Sequence, residues 1–161
     1  CIGIPGPNAK SEDYSSFELL NSIINRGFFS KIYQRIVNEK GLSYSPQLEV
    51  VNGRNFSYGY ITVGTAAGNV RKVQTLISDA FFEVRDMSDA SFEEEVRKHL
   101  LFSRIPEDKE DLLERIMDFH NSGRNVADAI DRGTENKINL DKTRELADIN
   151  GRFSSAIILN E

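Results

Sequence analysis

Hydrophobic positions along the chain change period several times, and the changes divide it into elements. Ile2 and Ile4 open a short apolar strand that Pro5-Gly6-Pro7 is expected to end. Phe17, Leu20, Ile23 and Ile24 then recur at helical spacing, with Ser15-x-x-Glu18 as a capping box in front of them and Gly27 behind. A second helical pattern, Ile32/Tyr33 and Ile36/Val37, runs to Gly41, where a left-handed residue would stop it. From Leu42 the period becomes two, with Leu42, Tyr44, Leu48 and Val50 on one side. This predicts a strand over 42–51. Asn52-Gly53-Arg54-Asn55 is a hairpin signal, and 56–65 is the returning strand, with Phe56, Tyr58, Tyr60 and Thr62 on one face and Ile61 and Val63 on the other. Bulk on both faces is what a sheet covered on one side by helices and on the other by a further domain would carry.

Helical spacing returns after the 64–69 loop. Asn69 is placed as N-cap, followed by the stripe Val70, Val73, Ile77, Ala80, Phe81 and Val84. Ser91-x-x-Glu94 is read as a further capping box, leading into Phe92, Val96 and Leu100. A helix over 107–120 carries Leu112, Leu113, Ile116 and Met117. A short helix near Val126, Ala127 and Ile130, a last one capped by Asn139 and running through Ala147, and a strand over 153–159 complete the pattern.

The order is strand, helices, hairpin, paired helices, minor helices, strand. It predicts an α+β fold: a two-layer α/β sandwich, an antiparallel-rich sheet with helices on one face. At 161 residues there is room for one domain with a proper core. The chain opens on CIGIPGP without a methionine and closes on a strand, so it is expected to be one domain, 1–161, truncated from a larger protein. A net charge of −5 argues against nucleic acid or an anionic membrane as partner. No apolar run is long enough to span a bilayer. The single cysteine, Cys1, excludes an internal disulfide and leaves the compartment open between periplasm, cytoplasm and an organelle matrix.

Self-contained chemistry is missing from the pattern. His99 and His120 have no neighbouring histidine at ligand spacing. Folded back at Pro106, they would be offset by about 10 Å along a helical hairpin. No serine sits in a G-x-S-x-G elbow, and the 64–69 loop lacks phosphate-binding spacing. The acidic run 93–95 suits the first turn of a helix better than a cation site. No catalytic or metal-binding residue is assigned.

The wording of SKIYQRIVNEKGLSYSP, residues 30–46, resembles the segment L-F-x-x-L-R-E-K-x-G-L-x-Y-S of non-catalytic domains in the pitrilysin/insulinase family of zinc metallopeptidases. Ile32-Tyr33 stand at the L-F, Ile36 at the second L, and Gly41-Leu42-Ser43-Tyr44 at the G-L-x-Y. Val37 falls on the family's arginine, and Arg35 lies two residues too early. The family's H-x-x-E-H signature is not present. The resemblance implies a C-terminal-type, non-catalytic domain that helps enclose and position a peptide substrate, with Tyr44 contacting it, while zinc sits in another domain or subunit of the parent. It also implies partnership with that catalytic domain. A catalytically inactive structural or assembly subunit of the same fold is the alternative, favoured by Val37. An unrelated α/β binding module sharing the helix–glycine–strand corner is a third reading. An open sheet edge would permit a dimer.

Overall fold

Alternating segments become the strands of one sheet. In the computed structural model, which describes residues 1–103, 109–127, 138–149 and 154–156, β1 (Ile2–Gly6), β2 (Gln47–Asn52), β3 (Ser57–Thr62) and β4 (Ser154–Ser155) form a four-stranded sheet in the order β2-β3-β1-β4. Every pairing is antiparallel. Ile2, Leu48 and Ile61 lie in one row across it, as do Ile4, Val50 and Gly59, so their side chains share the inner face.

Helix α1 (Tyr14–Asn25) lies on that inner face. The Phe17 ring comes so close to Gly6 that a Cβ there would sit 2.6 Å from it, which explains a glycine at the end of β1. Phe17, Leu19, Leu20 and Ile24 are fully buried, because α1 is covered on several sides. Around it stand α2 (Lys31–Tyr33), α3 (Val70–Arg85), α4 (Asp89–Ser103) and α6 (Leu140–Ala147). Ile32, Ile77, Phe81, Phe92 and Ala147 close the core from those helices. The result is the expected α+β architecture, with helices on one face of an antiparallel sheet.

Several local expectations are corrected. β1 continues through Pro5 to Gly6 rather than stopping before them. Past Gly3 its described ladder is to β3 alone, the edge setting in which a strand tolerates proline. α1 begins at Tyr14, so Ser15 and Glu18 lie inside the helix and form no capping box. Asp13 holds the N-cap position without a side-chain bond. At α4 the cap is Ser88, whose Oγ accepts from the Ser91 N–H at 3.3 Å, and Glu94 and Glu95 pair with Lys98 instead. Asn69 ends the short 3-10 turn Ala67–Asn69 that leads into α3 and makes no side-chain cap. Asn139 does cap α6, accepting from the Lys142 N–H at 3.0 Å.

The strand expected from Leu42 starts only at Gln47, leaving 41–46 as a loop. α5 (Lys109–Asn121) keeps its apolar side out of the core, with Leu113 and Met117 exposed. Most of the short helix near Ile130, and of the strand expected over 153–159, lies outside the described residues.

Candidate functional site

Ser30 starts the decisive segment by capping α2, its Oγ accepting from the Tyr33 N–H at 3.3 Å. After one α turn the helix widens into a π turn, Gln34–Asn38, with the Glu39 N–H donating to the Gln34 carbonyl at 2.9 Å. The pattern of apolar residues did not distinguish this from an α-helix. π turns are rare and recur at functional sites. The segment then closes on Gly41, at φ +58. The Gly41 N–H reaches the Val37 carbonyl at 3.0 Å, and the Leu42 N–H reaches Ile36 at 2.8 Å.

Beyond Gly41, Tyr44 stands in a short loop fixed on both sides. The Thr65 hydroxyl, three residues past the end of β3, donates to the Leu42 carbonyl at 2.8 Å. Ser43 and Pro46 are buried, whereas Tyr44 keeps 96% of its surface accessible. A phenol held out on an anchored loop has its hydroxyl free for an incoming partner. Val37 lies half-buried in the π turn and offers no donor. Arg35 does not replace the missing arginine. Its guanidinium bonds Glu83 and lies 3.9 Å from Asp79, both on α3, and Lys31 joins Glu83 at 3.3 Å.

The outer face of the sheet carries a second set of side chains. Tyr60 lies between Glu49 and Gly3 in one row, and Tyr58 between Val51 and Pro5 in the next. The Tyr60 hydroxyl donates to Glu49, and that bond raises its pKa. Phe56 stacks on Tyr58 with ring centroids 6.2 Å apart, and Tyr58 and Tyr60 are 6.3 Å apart. Beside these rings, Gly3 and Pro5 leave a shallow groove walled by Ser154, Ser155 and Ala156.

Two buried polar groups elsewhere are structural. Arg124 stacks on Phe119 and Tyr14, bonds Asp118, and donates to the Ser122 hydroxyl at 2.9 Å. Asn52 also donates to Asp118, at 3.2 Å, so this group ties the end of α5 to the hairpin and to α1. Glu18 faces it from α1. Loss of water around its carboxyl pushes its pKa up to about 7, Asp118 adding to the rise and Arg124 opposing it. Its side chain retains 36% of its surface, so the group is not sealed from solvent. The residues involved are far apart in sequence, and no spacing signal links them.

His99 is buried beside Arg26, whose Nη1 is 3.4 Å from Nδ1. Burial, with Arg26 assisting, lowers its pKa to about 4 and keeps it neutral. His120 ends α5 on the surface. Among the described residues no group of three His, Cys, Asp or Glu side chains is placed to hold a metal ion. No helix among them is long and apolar enough to cross a membrane.

Residues 1–98 match the family described as the peptidase M16 inactive domain. Curated proteins give no match. Among solved structures, the fold is shared with a peptidase M16 inactive domain from Pseudomonas fluorescens, at 14% identity and TM-score 0.70, over 94% of this chain and 38% of that one. A protease from Helicobacter pylori gives 14% identity and TM-score 0.74 over the same shares. A Bordetella pertussis protein assigned as a zinc protease gives 16% identity and TM-score 0.59, over 95% of this chain and 87% of that one. The chain thus spans well under half the length of the first two.

Proposed function

This chain belongs to the peptidase M16 inactive-domain family, and from that premise we propose that it helps enclose and position a peptide while zinc-dependent hydrolysis proceeds in another domain of a longer parent protein. The observation that carries this reading is Tyr44, held out at 96% exposure on a loop fixed at Leu42, Ser43 and Pro46. A phenol so placed donates a hydrogen bond to a peptide carbonyl, and a donor aimed where negative charge develops also favours the transition state. Zinc is the parent's cofactor in this reading. The described residues of this chain offer it no ligand cluster. The catalytic domain is then the chain's functional partner.

A second reading, a scaffold that keeps the fold without assisting chemistry, is favoured by one observation. Val37 supplies no cation, and Arg35 is committed to Glu83 and Asp79. Zinc content and peptidase activity of the full-length parent separate the two, measured beside Tyr44→Phe and Tyr44→Ala. Zinc-dependent cleavage that drops about tenfold when the hydroxyl alone is removed supports the positioning role, since one lost hydrogen bond is worth about that much. A parent without zinc or turnover leaves the scaffold.

A further inference from the structure

Two carboxylates four residues apart on α3, Asp79 and Glu83, face two cations four residues apart in the segment ahead of Tyr44, Lys31 and Arg35. Glu83 accepts a hydrogen bond from the Arg35 guanidinium and pairs with Lys31 at 3.3 Å, while Asp79 stands 3.9 Å from Arg35. Residues at that spacing lie on one side of a helix, so the two pairs meet along facing rows. We propose that Glu83 is a positioning residue, clamping the π turn to α3 and thereby aiming the Tyr44 hydroxyl. The proposal rests on the peptide-positioning reading above and names what holds the tyrosine at its angle.

Arg35 belongs to the π turn itself, so the clamp closes on the point where the helix departs from regular geometry. Ile32 and Ile36 hold the buried side of this segment in the core. Lys31 and Arg35 hold its outer side, and the Arg35 side chain keeps only 20% of its surface accessible. An isolated exposed ion pair contributes little. Here one carboxylate takes two cations with a second carboxylate behind it, and in such a network the pairs do count.

The chain that carries Glu83 also holds the other end of the segment. Thr65, five residues before α3, donates to the Leu42 carbonyl at 2.8 Å, and Glu83 lies in the last turn of α3. Residues 31–42 are thus tied at the start by Glu83 and at the finish by Thr65, with α3 as a strut of about 24 Å between the ties. Tyr44 projects two residues past the second tie. Releasing the first lets the π turn rock about the second and spreads the directions in which the phenol points.

The test is a double-mutant cycle in the full-length parent, read as peptidase activity, with Tyr44→Phe as the second background. Glu83→Gln, nearly isosteric, should lower kcat/KM about threefold when Tyr44 is present and leave the residual turnover of Tyr44→Phe unchanged. Arg35→Gln cuts the clamp from the other side and should act in the same direction, which covers a Glu83 variant that fails to fold. No loss beside Tyr44 overturns the proposal. So do equal fractional losses in both backgrounds, because an ion pair that merely stabilised the fold would lower both alike. Hydrogen exchange gives a readout free of turnover. The Gly41 and Leu42 amides, bonded to Val37 and Ile36, should exchange about threefold faster in Glu83→Gln, while the Ser122 amide at the end of α5 keeps its rate. Unchanged exchange at Gly41 and Leu42 also overturns the clamp. Normal turnover in Tyr44→Phe, or none in the parent, removes the Tyr44 reading by itself, and exchange then decides whether Glu83 holds the loop.

Discussion

Ser16 and Asn139, 123 residues apart, hold each other by two hydrogen bonds: the Ser16 hydroxyl accepts from the Asn139 N–H at 3.0 Å and donates to its carbonyl at 3.1 Å. Asn139 in turn caps α6 through its side chain. A single buried hydroxyl on α1 therefore fixes where the last described helix begins.

Ser16→Ala should destabilise the domain by about 1–2 kcal/mol, read as a lower urea midpoint. The cost comes from the Asn139 N–H, which would lose its partner. The carbonyl would not, because Thr143 donates to it from both its N–H and its hydroxyl at 2.9 Å. Thr143→Val, which keeps the shape and one of those donors, should accordingly cost less. Equal losses in the two variants would contradict this division.

Gly41→Ala should cost about 1 kcal/mol through the backbone alone. Gly41 sits at φ +58 with nothing within 4 Å of where a Cβ would go, so no clash confuses the measurement. Thermal unfolding gives the stability loss. Should Tyr44 act on substrate, peptidase activity of the parent falls further than that loss explains, because the glycine aims the loop.

Glu18 makes stability depend on pH in an unusual direction. Its carboxyl titrates near 7 in the folded chain and near 4.3 when unfolded. Between those values the folded state binds more protons at this site than the unfolded one, so the contribution of Glu18 to stability is greatest below about pH 4 and is lost as pH rises through 7. Glu18→Gln should flatten that decline. His99 acts oppositely: with its pKa lowered to about 4 from the ordinary 6.5, its contribution is lost as pH falls through that window. The difference between wild-type and Glu18→Gln urea midpoints, followed from pH 5 to 8, isolates the carboxyl. Parallel profiles would refute the assignment.

Much of this architecture was legible from local patterns, because they report burial. The stripe Val73, Ile77, Ala80, Phe81 and Val84 is the buried side of α3, and the alternation in β3 places Tyr58 and Tyr60 outside and Ile61 inside. Gly41 has the left-handed backbone its position implied. Capping was read less well. Ser15 and Ser91 both have a glutamate three residues on, yet burial of Tyr14 and the hydroxyl of Ser88 move each helix start upstream. The π turn escaped notice because one extra residue leaves Ile32 and Ile36 four apart, as in an α-helix. The Glu18, Asn52, Asp118 and Arg124 group escaped because only the folded chain brings its members together.

The π turn has a bearing on how this segment could change length. An extra residue in a helix rotates everything after it by about 100° and advances it by about 1.5 Å. Deleting one residue between Gln34 and Asn38 would restore a regular helix and read, on paper, as an improvement. The wide turn absorbs that residue locally, so its loss would leave Gly41 and Leu42 near their present places and exchange the bond from the Glu39 N–H to the Gln34 carbonyl for regular helical ones. The wide turn is therefore the place where this segment could shed one residue without moving the Tyr44 loop, whereas the same loss in a regular turn of the helix would rotate Gly41 by about 100°.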